Sequence, residues 1–228
     1  MKQIPLAIGP DSLPTFDSYL TSANAAAVAH LRALAMPAAP VYLWGPAGSG
    51  KSHLLRALVH EVQVLGESAG CFDADDATPW VPQEGWSLVV VDRCEELDAQ
   101  RQQAAFALFV QAADMGVQWA AAGRVPPVDL PLRDDLRTRL AWGHVFALQP
   151  LGEGETRAAL RREADRRGIF LSDEVMDYVL NRSARDLGTL MQVLERMDRF
   201  ALARQRSVSV PLLRQMLQEE PVEAGDTR

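Results

Sequence analysis

The sequence predicts an α/β domain with a parallel sheet between helices, followed by a small all-α lid domain. Three observations predict it. Short apolar or β-branched runs alternate with helical stretches up to Pro150, the pattern of successive βαβ units. A glycine-rich phosphate loop joins the first of these runs to the next helix. Beyond Pro150 the strand signals stop and four helical periods follow one another.

Residues 1–14 contain three prolines and no helical period, so they read as an extended tail. The period over Asn24–Leu34 ends at Met36-Pro37 and Ala39-Pro40, because a proline disfavours helical backbone in the residue before it. Val41–Trp44 is a short apolar run closed by Gly45, as suits a buried strand. Ser52–Leu65 places Leu54, Leu55, Leu58, Val59 and Val62 on one helical side, and Gly66 stops it. Ala69–Asp73 is a second strand. Asp75–Trp86 is rich in proline and acids and reads as a loop carrying a short helix. Ser87–Val91 is a continuous β-branched strand closed by Asp92. Ala99–Asp114 is helical, Val117–Ala122 a strand, Arg133–Trp142 a short arginine-bearing helix and Val145–Leu148 the last strand.

In the second region, residues 153–167, 172–182, 185–205 and 210–219 read as helices. Ser172 with Asp173 and Glu174 makes a good helix start, since the hydroxyl and the acids meet unpaired N–H groups. Leu187, Leu190, Met191, Leu194 and Met197 form one apolar stripe, read as lid core. The expected division is a tail at 1–12, the α/β domain at 13–150, the lid at 151–220 and a polar tail at 221–228.

Composition bounds the function. The chain has 228 residues, is 48% hydrophobic and carries a net charge of −7. An acidic chain lacks the basic footprint of a protein that grips DNA by itself, although arginines cluster between Arg157 and Arg167. Cys71 and Cys94 lie far apart with no histidine cluster, and read as reduced, buried thiols of a cytosolic protein. No apolar run approaches the ~20 residues that cross a bilayer, and the N-terminus lacks the features of a signal peptide. The expectation is a cytoplasmic protein with no membrane partner.

Gly45-Pro46-Ala47-Gly48-Ser49-Gly50-Lys51-Ser52 fits G-x-x-x-x-G-K-[ST]. The glycines let backbone N–H groups face the β-phosphate, Lys51 can reach the β- and γ-phosphates, and the Ser52 hydroxyl can bind Mg²⁺. His53 completes the stretch expected to contact ADP or ATP. Asp92, at the end of the strand about forty residues downstream, is the acid expected to hold Mg²⁺ through water. Arg93 then stands where most ATPases of this architecture carry the acid that orients the attacking water. Glu95 and Glu96 lie further into that loop. The strand Trp119–Ala122 ends in Gly123-Arg124, where a polar sensor of the γ-phosphate is expected. Both departures argue against rapid hydrolysis in this chain's own pocket.

With these residues in place, the chain resembles the AAA+ ATPases, in the branch of the bacterial replication initiator DnaA. The phosphate loop, the strand ending at Asp92, Arg137-Thr138-Arg139-Leu140-Ala141-Trp142-Gly143 and Arg185-Asp186-Leu187 occur in the order found there. Thr15-Phe16-Asp17-Ser18-Tyr19 is similar to the entry segment of that module. The likeness runs from Leu13 to Leu217, and Arg-Leu-x-Trp-Gly is its most specific part. DnaA continues into a helix-turn-helix domain, for which this sequence leaves no room. The tail Gln3-Ile4-Pro5-Leu6-Ala7-Ile8 is similar to the sliding-clamp-binding motif Gln-x-x-Leu-x-apolar, in which Gln3, Ile4, Leu6 and Ile8 would meet the partner.

The resemblance implies a negative regulator of replication initiation. Its partners would be DnaA and the β subunit of the DNA polymerase III sliding clamp, with DNA reached through the clamp. Arg139 would act as an arginine finger on ATP held by DnaA, and Arg185 would contact the phosphates of this chain's own nucleotide. A homodimer or higher homo-oligomer is compatible with it. Two other classes stand beside this reading: an autonomous ATPase or loader, and a DNA-associated accessory of the initiator.

Overall fold

The computed structural model describes residues 14–182 and 187–219. The described chain forms two compact units, one ending at Pro150 and the other beginning at Leu151. The first holds five strands: β1 (Val41–Trp44), β2 (Ser68–Phe72), β3 (Trp86–Val91), β4 (Gln118–Gly123) and β5 (His144–Ala147). All neighbours pair in parallel, in the order β2-β3-β4-β1-β5. Its helices are α1 (Ala25–Arg32), α2 (Lys51–Val64), α3 (Ala99–Asp114) and α4 (Asp134–Ala141).

The period of two along each strand divides the core between the two faces of the sheet. Val41, Leu43, Leu88, Val90, Ala120 and Ala122 pack with Val28 and Leu31 of α1 and with Leu54, Leu55, Leu58 and Val62 of α2. Tyr42, Val89, Val91, Trp119 and Ala121 pack with Leu108 and Phe109 of α3 and with Leu136 and Leu140 of α4. Burial on both faces is why β3 reads as an unbroken apolar run. Central β4 carries three fully buried alanines, Ala120–Ala122, so helices can close on it from either side.

Strand order reverses at β1, which lies between β4 and β5. In an open parallel sheet, the crevice at the carboxyl ends of the strands beside such a reversal receives ligands. The phosphate loop leaves β1 at this point.

Of the two thiols expected to be buried, Cys94 is buried and Cys71 is exposed. Strand and helix limits agree with the sequence reading to within two residues, with one larger correction. Residues 73–85 contain no helix. The Asp76 side chain accepts the Asp73 N–H at 2.7 Å and the Asp73 side chain accepts the Asp75 N–H at 2.8 Å. Such local bonds compete with helical ones, and Pro79 and Pro82 withhold N–H donors further along. Short 3₁₀ turns at Cys94–Glu96 and Pro127–Asp129 are additions to the expected elements.

The second unit consists of α5 (Glu153–Arg166), α6 (Asp173–Arg182), α7 (Leu187–Arg204) and α8 (Val210–Glu219). Leu190, Leu194 and Met197 of the expected stripe are buried with Leu160, Met176, Val179, Leu213 and Met216. Ser172 accepts the Val175 N–H at 3.4 Å, in keeping with its role as a helix start. The arginine cluster of α5 does not present a bare basic face. Arg157 meets Asp177 at 2.6 Å and Glu153 at 3.1 Å, Arg161 meets Asp173, and Arg166 and Arg167 both meet Glu163 at 2.6 Å. The Arg166 and Arg167 guanidiniums overcome burial and hold the Glu163 carboxyl down at about 2. None of the described helices is long and apolar enough to cross a membrane.

Gly143 enters β5 beneath the Pro40 carbonyl, whose oxygen also accepts the His144 N–H at 2.8 Å. A Cβ at this glycine would lie 1.8 Å from the same oxygen, whereas one at Gly154 of α5 would meet nothing. Gly143→Ala should therefore destabilise the protein by about 3 kcal/mol, lowering Tm by roughly 10 °C. Gly154→Ala should leave Tm unchanged or raise it slightly. Thermal melts of the two variants side by side check the contrast.

Candidate functional site

The phosphate loop folds as its sequence demands. Gly45 and Gly50 have φ of 155° and 87°, where a side chain is strained. Added Cβ atoms there would also come within 2.4 Å of the Leu148 carbonyl oxygen and of the Tyr19 ring respectively. Gly45, Pro46, Ala47, Gly48, Ser49 and Gly50 form the turn, and Lys51, Ser52 and His53 begin α2. The first N–H groups of that helix have no intrahelical partner, and its dipole favours an anion in front of them.

Lys51 Nζ donates to the Gly45 and Pro46 carbonyls at 2.8 and 2.9 Å. Burial lowers the pKa of this ammonium, while the Glu95 and Asp92 carboxylates pull it back up. Buried Ser49 Oγ has no hydrogen-bond partner. A donor left unpaired within a loop of this shape fits an oxygen-rich ligand.

The entry segment braces the loop from outside. Tyr19 donates its hydroxyl proton to the Ser49 carbonyl at 2.9 Å. Buried Asn24 donates to Tyr19 Oη at 2.8 Å and to the Gln149 carbonyl at 2.9 Å, and accepts the Gln149 N–H at 2.8 Å. His53 Nε2 lies 2.9 Å from the Thr15 carbonyl and 3.2 Å from Ser18 Oγ. His53 thus ties α2 to the entry segment.

At the end of β3, Asp92 accepts the Arg93 N–H through its own side chain at 2.8 Å. Arg93 takes a left-handed backbone, φ 52°, and turns its guanidinium away onto Asp75 at 2.5 Å, Asp73 at 2.8 Å and Glu96 at 3.3 Å. The hydrogen bond to Asp75 leads the interactions that raise its pKa further, so it is a permanent cation held by three acids.

Glu95 instead reaches toward the end of β4. It pairs with Arg124 Nε at 3.1 Å and accepts the Arg124 backbone N–H at 3.1 Å. Gly123 makes room for it. A Cβ on Gly123 would stand 3.1 Å from Glu95 Oε2 and 2.2 Å from Tyr42 Oη. The Gly123 carbonyl accepts the N–H of Gly45, the first loop glycine, at 3.3 Å. The sequence singled out Gly123 and Arg124 as departures. That Glu95 fills the space beside Gly123 had no local signal.

The arginine segment lies on and after α4. Leu140 is buried in the core and Gly143 sits under Pro40, so both ends of the Arg-Leu-x-Trp-Gly run are fixed. Arg139 and Trp142 face outward, Trp142 with 72% of its surface exposed. Arg133 pairs with Asp135 at 2.7 Å and bonds Gln103, and Arg137 pairs with Asp134 at 2.5 Å. Arg139 has no carboxylate partner among the described residues, and its guanidinium stands 5.8 Å from the Phe109 ring centre. Arg139 and Trp142 line a groove of about 460 Å³ with Phe106, Asp134, Asp135 and Thr138. Arg185 and the tail residues Gln3, Ile4, Leu6 and Ile8 lie outside the described residues.

Strand order, phosphate loop and an acid-tipped β3 define the α/β unit as a nucleotide-site module of the AAA+ class. Comparison with known proteins narrows this. Residues 153–217 match the family described as Hda, lid domain. The chain is similar to domain III of the replication initiation protein DnaA from Thermotoga maritima, with a TM-score of 0.73 at 19% identity over 92% of this chain and 97% of that one. AMPPCP-bound DnaA from Aquifex aeolicus gives 0.64 at 19% identity over 83% and 65%. A RuvB mutant from Thermotoga maritima gives 0.62 at 14% identity over 90% and 72%. The match to an Hda lid thus lies in residues 153–217, and the chain has the fold of DnaA domain III, an α/β unit followed by a helical lid.

The Asn24 brace leads to a stability test. Asn24→Ala leaves the Gln149 N–H and carbonyl without their partner in a part-buried setting and removes one partner of the Tyr19 hydroxyl. A loss of about 1–2 kcal/mol is expected, from hydrogen bonds lost in a part-buried setting. The shift of the urea midpoint at unchanged slope measures it.

Proposed function

We propose that this chain is a regulator of replication initiation that holds ADP or ATP in its own phosphate loop and stimulates hydrolysis of ATP held by DnaA. The observation that carries the reading is the contrast among three neighbouring arginines. Arg133 and Arg137 are neutralised by Asp135 and Asp134, whereas Arg139 is exposed with no carboxylate partner among the described residues. An arginine intended for a neighbour's phosphate must be rigidly placed and uncommitted. Leu140 and Gly143 supply the placement.

In this reading Arg139 enters the partner's site and stabilises charge on the phosphoryl group being transferred. The chain's own nucleotide is gripped by Lys51 and by the loop N–H groups, and the resemblance adds Arg185 as a phosphate contact. Among the described residues no cluster of three or more His, Cys, Asp or Glu side chains is built to hold a metal ion. Mg²⁺ would therefore arrive with the phosphates, with Ser52 and Asp92 as the protein's donors. The tail Gln3–Ile8 docks on the sliding clamp as an extended peptide, with Leu6 and Ile8 in an apolar groove and Gln3 hydrogen-bonded at one end. The clamp acts as a tether that raises the local concentration of regulator on replicated DNA.

The other classes fare less well. The paired arginines of α5 weaken the case for an accessory that grips DNA directly. The capture of Arg93 by three acids weakens the case for an autonomous motor, since no acid occupies that position.

Arg139→Ala should retain nucleotide and clamp binding while reducing stimulated hydrolysis of DnaA-bound ATP by about 10³–10⁵-fold, the range for a finger arginine. Full stimulation by this variant, measured as conversion of DnaA-bound ATP with clamp-loaded DNA present, would reject the assignment. Removal of residues 1–8 should abolish pull-down with the clamp and leave nucleotide binding unchanged. Pull-down that survives the truncation would disprove the tail's role.

A further inference from the structure

We propose that Glu95 is a latent general base in this chain's own nucleotide pocket, and that Arg124 is the positioning residue that keeps it inactive. The inference rests on the reading that the phosphate loop holds a nucleoside triphosphate or diphosphate.

Three placements carry it. The first is proximity. Glu95 Oε2 lies 3.1 Å from the point where a Gly123 side chain would begin, and the Gly123 carbonyl is bonded to Gly45 of the phosphate loop. Glu95 therefore occupies the carboxyl end of β4 directly beside β1, on the phosphate side of the sheet. The second is vacancy of the usual position. Arg93 follows Asp92 and is drawn off onto Asp73, Asp75 and Glu96, so the residue after Asp92 offers no base. The third is restraint. The Glu95 side chain is only 15% exposed, and both of its oxygens are engaged by one residue: Oε1 by Arg124 Nε, Oε2 by the Arg124 N–H.

A carboxylate whose two oxygens already accept charge-assisted and backbone hydrogen bonds is poorly placed to accept a proton from water. Arg124 also stretches to Glu96 at 3.5 Å, which keeps its guanidinium over this loop. Removal of the guanidinium frees Oε1. A water between Glu95 and the γ-phosphate could then lose a proton to Oε1 as its oxygen bonds to phosphorus. The bond from phosphorus to the β,γ-bridging oxygen breaks, ADP departs with that oxygen, and the proton leaves Glu95 for solvent afterwards. Water is the sole co-reactant.

The test measures phosphate release and nucleotide occupancy on the full chain loaded with MgATP, for wild type, Arg124→Ala, Arg124→Gln, Glu95→Gln and Arg124→Ala with Glu95→Gln. Single-turnover hydrolysis by Arg124→Ala should exceed wild type by about tenfold or more, out of the 10²–10⁴ that a positioned base contributes. Arg124→Gln, which keeps a polar side chain, serves if the alanine variant does not fold. The double variant should fall back to the wild-type rate with unchanged ATP occupancy, a reversal that general loosening of the fold would not produce. If ATP is bound but neither Arg124 variant gains activity, or if the gain survives Glu95→Gln, this inference is overturned and the proposed regulatory role is untouched. Absence of ATP binding in the wild type overturns both.

Discussion

The site depends on β1 being paired on both sides. Trp44, its last residue, lies opposite Gly123 of β4 and Ala147 of β5. Because of that register, the loop leaving β1 is pinned at its first residue, where Gly45 donates to the Gly123 carbonyl and packs against the Leu148 carbonyl. The glycine is thus a requirement of the sheet as much as of a phosphate. The same register delivers Gly123 and its neighbour Arg124 to the edge where Asp92 ends β3. The inner strands β3, β4 and β1, largely buried on both faces, supply the rigidity, and the side chains of chemical interest stand where the strands end.

Much of this was legible in the sequence. Val41–Trp44, Ala99–Asp114 and residues 210–219 have in the structure the limits read from the sequence, where local signals such as Gly45 or the end of an apolar period bound them. The loop from Asp75 to Trp86 was less legible. Its aspartates bond nearby N–H groups through their side chains, a competition with helix that composition alone does not reveal. The phosphate loop carries its own chemistry in consecutive residues, so motif and context agree. Asn24, Glu95 and Gln149 do not. Their roles arise from partners far along the chain, and no periodicity or spacing could have assigned them. The Arg-Leu-x-Trp-Gly segment falls between these cases. Its order of residues suggested a function, but only packing separates the members that anchor, Leu140 and Gly143, from those that face outward, Arg139 and Trp142.

Many of the arginines are closely paired with acids, which gives a surplus of acid over base at the level of composition little meaning locally. Arg157, Arg161 and Arg166 of α5 are matched by acids on α5 and α6, and Arg133 and Arg137 by acids of the first turn of α4. Exposed pairs of this sort contribute little to stability, roughly 0–1 kcal/mol each. Their larger effect is to remove arginines from the list of groups available to an outside anion. Against that background an uncommitted guanidinium on a fixed segment is informative, and a carboxylate held by an arginine beside the loop is equally so.

The hydrogen bonds between Asn24 and Gln149 join residues 125 positions apart. Asn24 also supports Tyr19, which supports Ser49, so one wall of the pocket is completed by residues that follow the last strand. During synthesis from the N-terminus, the phosphate loop exists as a sequence long before it exists as a finished cradle. The braced form of the cradle therefore requires Gln149, beyond β5, to be in place. Contacts of such long range also slow folding, since chain entropy must be lost before they form.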